Sequence, residues 1–328
     1  MRGVLALCWA AHRRTTGLCA GLDVELCVLE ARFRGPLRQL LLSMHTAALL
    51  LRRRPRILLV PNPSLVLSVL AVALRPLLRY RLIVDAHNEA VMPFIHRQRW
   101  VQRLSRWVVR KADLTLVTNR ALAAAVEEQR GRAFILPDPI PHAPPISVAR
   151  LPGEFNAVLI STFAPDEPVA AVLEAVRGAG VELYVTGNAR KLDQAVAQRL
   201  PPNVHLTGFL PEEEYWKLLR SADALIDLTL MDNCLVCGAY EALAAGKPML
   251  LSDNPASVEL FGDSALYTDN TPSHIRHMLG KLRHERARLE GAAARKRAEL
   301  TAEWAAGARR LGDALRLWQT RAQSGTVL

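Results

Sequence analysis

Short apolar runs alternate with helical stretches along all 328 residues, and this alternation limits the possible folds more than any other feature. Parallel strands need helical crossovers, so the pattern predicts doubly wound parallel sheets in an α/β protein. A proline-rich segment at 138–145 cannot continue a helix or a central strand, because proline lacks the N–H group. The strands predicted before it are 3–9, 23–28, 56–60, 81–86, 113–118 and 132–136, and those after it are 157–161, 181–186, 204–207, 224–228, 249–252 and 265–267.

Charge is concentrated in the first part of the chain. Residues 1–150 contain 23 Lys and Arg against 9 Asp and Glu, whereas the rest of the chain contains 19 against 22. Such a basic half favours an anionic partner: a phosphorylated substrate, an anionic membrane surface or nucleic acid. An Arg-rich, Lys-poor composition can also follow from genome base composition, so the charge alone does not choose among these readings.

One predicted helix joins apolar residues to clustered arginines. It begins near Leu37 and ends in Leu-Leu-Leu-Arg-Arg-Arg-Pro-Arg at 49–56. That combination suits an anionic membrane surface, although a helix C-terminus also favours cations for electrostatic reasons. The longest apolar run, 65–74, has half the length of a membrane span and is predicted to be a buried helix.

The five cysteines favour a reducing compartment. Their number is odd and the N-terminal residues show no secretory signal, so we expect a cytoplasmic protein. Cys234 and Cys237 have the spacing of a redox motif or of half a zinc site. No second cysteine pair or paired histidine follows at finger spacing, so no metal site is predicted and the two cysteines are interpreted as small residues of a loop.

A strand–loop–helix–strand segment in the second half predicts a ligand site. The apolar strand 224–228 precedes the helical run 238–245, which ends at Gly246 before the apolar run 249–251. Ligands of open α/β sheets lie beyond the carboxyl ends of the strands, and a helix start favours phosphate. The amides of Gly238 and Ala239 are therefore candidate phosphate ligands, and Glu241 is a candidate acceptor for sugar hydroxyls. The segment predicts a nucleotide or nucleotide-sugar site.

The run from Val204 to Asp253 resembles the nucleotide-binding half of GT-B glycosyltransferases, and within them the large retaining group called family 4. It contains V-x-x-x-G-F at 204–209, Ser-Ala-Asp at 221–223 and A-x-G-K-P at 244–248. The family has two glutamates eight positions apart before the last motif. Glu241 matches the second, whereas Asn233 stands at the position of the first and could replace it as a hydrogen-bond acceptor.

The resemblance implies two Rossmann-like domains that face a cleft. The domains would be 1–145, on the acceptor and membrane side, and 146–280, which would bind the nucleotide sugar. The helices of 281–328 would pack back on the first domain or form a surface hairpin. The implied activity is metal-independent transfer of a sugar from a nucleoside diphosphate to a lipid-linked or surface-polysaccharide glycan, without a further cofactor. The protein would be cytoplasmic and peripheral on the inner face of the membrane.

In the first domain the resemblance points to polar residues that follow two strands. His87 matches a family histidine that lies near the anomeric carbon, and it is predicted to be catalytic together with Glu241. Asp85 and Asn88 flank it. The family's Gly-rich loop after the first strand is absent, and candidates for phosphate or acceptor contact there are Arg13, Arg14 and Thr15.

In the second domain the family's Arg and Lys that grip the diphosphate are also absent. Ser161 and Thr162 follow the corresponding strand, and they are predicted to contact the phosphates instead. Turns after the next two strands are predicted to lie against the base. The predicted donor-binding set comprises Ser161, Thr162, Gly187, Asn188, Gly208, Phe209, Asn233, Gly238 and Ala239.

Other functions remain open at this stage. The missing family residues favour, as the main alternative, an inactive homologue that binds a nucleotide sugar or assists a partner enzyme. A sugar-nucleotide epimerase on the same fold would need an acid–base cluster, and none is evident beyond His87. The isoelectric point near 10.0 suggests a nucleic-acid binder. However, aromatic residues are only 5% of the chain and no binding module is recognised, so no nucleic-acid partner is expected.

Overall fold

The structure is a computed structural model that describes residues 3–61, 64–86, 88–91 and 99–321. The chain divides into two compact units. The first comprises the residues up to Pro139 and those from Ala302 onward, and the second is Ile140–Thr301. The N-terminal segment of the first unit ends at Pro139, a few residues before the boundary expected at 145.

The first unit is a six-stranded sheet in which all paired strands are parallel, with the order β2-β1-β3-β4-β5-β6. Successive connections change direction between β1 and β3, which is the switch point of the sheet. The strands are β1 Val4–Cys8, β2 Glu25–Val28, β3 Ile57–Pro61, β4 Arg81–Asp85, β5 Leu114–Val117 and β6 Ala133–Ile135. The helices are α1 Arg13–Leu22, α2 Gly35–Arg53, α3 Leu65–Leu78, α4 Asn88–Val91, α5 Arg99–Lys111 and α6 Arg120–Glu128.

The second unit repeats this plan, with the strand order β12-β11-β10-β7-β8-β9 and a switch point between β7 and β10. All of its paired strands are parallel as well. The strands are β7 Asn156–Leu159, β8 Glu182–Thr186, β9 Val204–Gly208, β10 Ala224–Asp227, β11 Met249–Ser252 and β12 Ala265–Thr268. The helices are α7 Val169–Val176, α8 Gln194–Ala197, α9 Glu212–Ser221, α10 Cys237–Ala245, α11 Pro255–Phe261, α12 Pro272–His284 and α13 Arg286–Arg321.

The inner strands form as the sequence predicts because both of their faces are covered. Every residue of β1 and β3 is buried, which explains why these segments read as unbroken apolar runs rather than as alternating ones. Each leucine or isoleucine buried in this way contributes about 1.5–3 kcal/mol. The predicted α/β class with two doubly wound Rossmann-like sheets is confirmed.

The long helix α13 supplies residues to the cores of both units. Leu289 and Leu300 are buried in the second unit, which extends to Thr301. Ala308, Leu311 and Leu315 are buried in the first unit, in one cluster with Val4, Ala6, Ile57 and Leu59. Within that unit the ring of Trp304 lies against Gly21, where an added Cβ would come within 2.1 Å of it.

The apolar run 65–74 forms most of α3, whose inner face buries Leu67, Ser68, Ala71 and Val72 as the sequence predicts. Within the described part of the chain, no helix combines the length and the apolar character that a membrane span requires.

Candidate functional site

The candidate site of the second unit lies at the switch point of its sheet. The loop after β7 and the loop after β10 leave neighbouring strands in opposite directions, which is where open α/β sheets bind ligands. The two loops are tied together: Thr229 Oγ1 donates to Asp166 Oδ2 at 2.9 Å, and the N–H of Leu230 donates to the carbonyl of Asp166 at 2.7 Å. The backbone on both sides of the site is therefore held in place.

Ser161 and Thr162 form a compact group of hydrogen-bond donors at the end of β7. The Ser161 hydroxyl donates to Glu167 Oε2 at 2.5 Å. The Thr162 hydroxyl donates to Glu167 Oε1 at 2.7 Å, and its N–H lies 3.0 Å from each carboxylate oxygen. The predicted phosphate donors are thus brought together, but on a carboxylate of the chain itself. Glu167 therefore supplies the acceptor oxygens for these donors.

Gly187 follows β8 and packs directly against the loop after β7. Its φ is +97°, and a Cβ there would lie 2.2 Å from the carbonyl oxygen of Ser161, so only glycine fits. Its N–H donates to the carbonyl of Gly208 at 3.2 Å. The turn after β8 therefore adjoins Ser161, and the turn after β9 adjoins Gly187.

The two residues that follow these glycines differ in what they can offer. Asn188 is used locally, since its Oδ1 accepts the N–H of Arg190 at 3.2 Å in a short 3₁₀ turn. Phe209 is 91% exposed at the end of the edge strand β9, so it is not a core residue and its ring is open for stacking.

Lys191 is a cation at the site that the sequence analysis missed. Its Nζ donates to the carbonyl of Thr162 at 3.1 Å. The ammonium group is therefore held beside the predicted phosphate donors, although the family's Arg and Lys are absent. Its position in the short turn after β8, next to Arg190, was the available signal.

Asp227 ends β10 and contacts the start of α10. Its Oδ2 accepts the N–H of Gly238 at 2.7 Å, and a Cβ on Gly238 would lie 2.4 Å from that oxygen. Burial raises the pKa of Asp227 well above its usual range; the Gly238 N–H opposes this, and the charges of Glu167, Glu241 and Asp166 add to it. The N–H of Ala239 bonds to the carbonyl of Val236 at 3.3 Å. Both amides predicted to bind phosphate thus have internal acceptors.

Glu241 lies in the second turn of α10 and is 7% exposed. The hydroxyl of Tyr215, from α9, donates to Glu241 Oε2 at 2.5 Å. This contact fixes one carboxylate oxygen. Tyr215 was not identified from the sequence, because nothing in the local pattern of α9 links it to α10.

The loop between β10 and α10 contains the remaining predicted donor residue. Asn233 has a φ of +54°, a conformation that asparagine tolerates better than most residues. The carbonyl of Cys234 accepts a hydrogen bond from Asn254 Nδ2 at 3.3 Å, which ties this loop to the start of α11. Within the described residues the cysteines form no disulfide, and no group of three His, Cys, Asp or Glu could hold a metal ion.

In the first unit, Arg14 is buried in an internal ion network. Its Nε donates to Asp85 Oδ1 at 2.8 Å, its guanidinium also pairs with Asp138, and it bonds the carbonyl of Leu136 at 3.2 Å. Burial opposes the charge of Arg14, but the two carboxylates outweigh it, so the pKa of Arg14 lies above its usual value. This geometry assigns Arg14 and Asp85 to the interior rather than to contact with a phosphate.

The other predicted residues of this unit are spread along the same edge of the sheet. Arg13 is exposed, Thr15 is fully buried, and Asn88 begins the short helix α4. Thr15 Oγ1 and Asp85 Oδ2 are buried without a hydrogen-bond partner among the described residues. The predicted catalytic residue His87 lies outside the described residues.

A pocket of about 350 Å³ lies at the switch point of the first sheet, between the ends of β1 and β3. Its wall combines apolar Trp9, Leu65 and Val66 with polar Arg38 and Gln39. A larger cavity of about 550 Å³ adjoins Val4 and Glu25 at the opposite, amino ends of the strands, and it contains none of the predicted residues. The smaller pocket is therefore the candidate for an acceptor.

Solved structures with the same arrangement of strands and helices cover nearly the whole chain. The HepE protein of Anabaena, in complex with UDP and glucose, matches with a TM-score of 0.73 at 13% identity, over 96% of this chain and 99% of HepE. Sucrose-phosphate synthase from Thermosynechococcus elongatus matches with a TM-score of 0.80 at 13% identity, over 98% of this chain and 100% of that enzyme. The chain has the GT-B fold.

Further comparisons concern the activity, which the fold alone does not define. The model of a family described as "Glycosyl transferase-like" matches residues 168–313, which include α7, α10 and Glu241. A Listeria monocytogenes protein assigned as a UDP-N-acetylglucosamine 2-epimerase shares the GT-B fold, with a TM-score of 0.64 at 12% identity over 96% of each chain. No curated protein matches the chain in sequence. The fold therefore leaves the reaction to be argued from the site.

Proposed function

We propose that this GT-B protein is a glycosyltransferase that moves a sugar from a nucleoside diphosphate to a glycan or lipid-linked acceptor. The observation that carries the proposal is the group at the switch point of the second sheet: the Ser161 and Thr162 donors, Lys191 and Glu241. Lys191 and Glu241 lie within the glycosyltransferase-like region 168–313, and Ser161 and Thr162 lie just before it. HepE, which shares the fold, is known in complex with UDP and glucose, so a uridine diphosphate sugar is the first donor to test.

The residues divide the donor between them. The Thr162 N–H and the Ser161 and Thr162 hydroxyls would bind the diphosphate once Glu167 gives way, and Lys191 would neutralise charge that develops on the leaving group. Such stabilisation needs no metal ion, which is why we propose metal-independent transfer. Phe209 would stack on the base, and Glu241 would accept the ribose hydroxyls. His87 is retained as the proposed residue near the anomeric carbon.

The acceptor is proposed from the first unit. The pocket at its switch point has an apolar wall beside Arg38, as an amphiphilic acceptor with an anionic group would need. Ten arginines and no acidic residue stand between 31 and 84. We therefore propose an acceptor presented at the cytoplasmic face of an anionic membrane, within the synthesis of a surface polysaccharide.

One observation favours the alternative of a binding protein without transferase activity. Glu167 already satisfies the donors of Ser161 and Thr162, and the Gly238 N–H is bonded to Asp227. In such a homologue the Glu167 carboxylate would remain hydrogen-bonded to Ser161 and Thr162, and the site would bind a nucleotide sugar weakly. Binding without transfer across a broad panel of acceptors would favour this alternative.

Thermal unfolding with UDP, GDP, ADP, CMP and their sugar conjugates tests the proposal. A nucleotide at a hundred times its dissociation constant should stabilise the protein by about 2.7 kcal/mol. We expect one nucleotide to do so, and Glu241→Ala and Glu241→Gln to abolish or weaken the effect. Glu259→Ala, an exposed position of α11, is the control. If the nucleotide stabilised both Glu241 variants as much as the wild type, the role assigned to Glu241 would be contradicted. If no nucleotide stabilised the wild type, the proposed donor class would be contradicted.

A further inference from the structure

Helix α2 has a second apolar face that the protein does not cover. Its inner face buries Leu42, Thr46 and Leu50 against the first sheet. On the opposite side an exposed row follows at spacings of three or four residues, which places its members on one face of the helix. We call this row the α2 stripe: Leu37, Leu40, Met44, Ala48 and Leu51.

The exposure of the stripe is large for apolar side chains. Leu37 is 49% exposed, Leu40 58%, Met44 61% and Leu51 46%, and Phe33 just before the helix is 53% exposed. Single exposed leucines are common on protein surfaces and need no explanation. A contiguous row along a whole helix is different, because such patches mark surfaces that contact a partner or a membrane.

The charged residues in α2 and on either side of it, from 31 to 56, are all arginines. Arg34 precedes the helix, Arg52 and Arg53 end it, and Arg54 and Arg56 follow, all of them exposed. Within the described residues, only Arg53 among these has an acidic partner, Glu25 at 3.1 Å. Between 31 and 84 the chain contains no Asp or Glu at all.

We propose that the α2 stripe is a docking surface for an anionic lipid bilayer, in which the apolar side chains enter the interface and the flanking arginines contact the headgroups. An apolar row beside arginines is the pattern of helices that lie in the membrane interface. A second copy of the chain is a poor occupant of the same face, since it would bring the same arginines against these. The proposal rests on the membrane-presented acceptor of the proposed function and identifies the surface that would reach it, but it does not depend on which sugar the protein transfers.

Co-sedimentation with lipid vesicles tests the proposal. We expect the full chain to bind vesicles that contain about one-third phosphatidylglycerol and not those of phosphatidylcholine alone, with weaker binding as salt is raised. The double substitution Leu40→Glu with Met44→Glu should lower the partition coefficient at least tenfold. Arg52→Gln and Arg54→Gln should each lower it about fivefold. Leu317→Glu is the matched control, because Leu317 in α13 is also 58% exposed, and it should bind as the wild type does.

Several outcomes would overturn the proposal. The first is that the wild type fails to bind anionic vesicles, and the second is that the Leu40→Glu, Met44→Glu protein binds them equally well. The third is that the wild type forms a concentration-dependent dimer, which the double substitution dissociates, and does not bind vesicles. Since the substituted side chains are exposed, an unchanged melting temperature should confirm that the variant is folded. Its stabilisation by UDP should also be unchanged, so failure of the docking surface can be told from failure of the proposed donor site.

Discussion

The contact between Glu167 and the donors of Ser161 and Thr162 makes a quantitative prediction about nucleotide affinity. A diphosphate can use those donors only by displacing a carboxylate that already accepts hydrogen bonds from three groups. Hydrogen bonds to a charged group contribute about 1.5–3 kcal/mol each in buried surroundings. Thr162 is exposed, so values at or below the low end apply here.

Glu167→Gln removes the charge and one of the two acceptor oxygens but keeps the size of the side chain. We estimate that displacing the neutral amide costs about 1.5–3 kcal/mol less than displacing the carboxylate. Repulsion between Glu167 and the diphosphate is lost as well. The dissociation constant for UDP should therefore fall at least about tenfold, because 1.4 kcal/mol corresponds to a factor of ten.

Isothermal titration calorimetry with UDP measures this change, and thermal unfolding provides an independent signal. Without nucleotide the variant should be less stable than the wild type by the same amount, about 1.5–3 kcal/mol, since it has lost the charged hydrogen bonds. Glu174→Gln is the control, because Glu174 is an exposed residue of α7 and, within the part of the chain that the structure describes, its carboxylate pairs with Arg177 at 3.4 Å. Unchanged or weaker UDP binding by Glu167→Gln would refute the reasoning and would mean that Glu167 orders the loop for the donor.

Three further predictions concern the same unit. Gly187→Ala should destabilise the protein by about 1–3 kcal/mol more than Gly180→Ala. Both glycines have a positive φ, but an added Cβ clashes with Ser161 at Gly187 and has nothing within 4 Å at Gly180. Equal melting temperatures of the two variants would contradict this. Tyr215→Phe should weaken UDP binding by removing the donor to Glu241, with a stability loss of about 1–3 kcal/mol in urea titrations; unaltered affinity would show that the hydroxyl is dispensable. Because the pKa of Asp227 is raised on folding, its contribution to stability is complete below the ordinary aspartate pKa of about 3.9 and declines as the pH rises through the folded value. The Asp227→Asn variant should lack this contribution to the decline of stability with rising pH. If the variant and the wild type had identical profiles of melting temperature against pH, the raised pKa assigned to Asp227 would be contradicted.

The fold could be predicted from the sequence because its signals are local. The central strands of the second unit, β7, β10 and β11, are short buried runs, and α10 stops before Gly246, which has a φ of +71° that suits glycine. The same local reasoning placed Ser161, Gly187 and Gly208 at the carboxyl edge of one sheet. Since β7, β8 and β9 are neighbours in that sheet, the structure brings these residues together.

The interactions that a local pattern could not show are the ones that connect distant segments. Lys191 reaches Thr162 across 29 positions, and Tyr215 reaches Glu241 across 26. Arg14 was predicted to contact a phosphate or acceptor because it begins a helix after a strand. Its burial depends on Asp85, 71 positions later, and on Asp138, and neither pairing has a signal near residue 14.

Helix α13 also has a consequence for the order in which the protein can fold during synthesis. The first sheet begins with Val4, yet the cluster that covers one of its faces includes Ala308, Leu311 and Leu315. An N-terminal domain usually folds while the rest of a chain is still being made. Here the ribosome must translate the entire second unit before those side chains exist, so the core of the first sheet can be completed only after the second unit has been made.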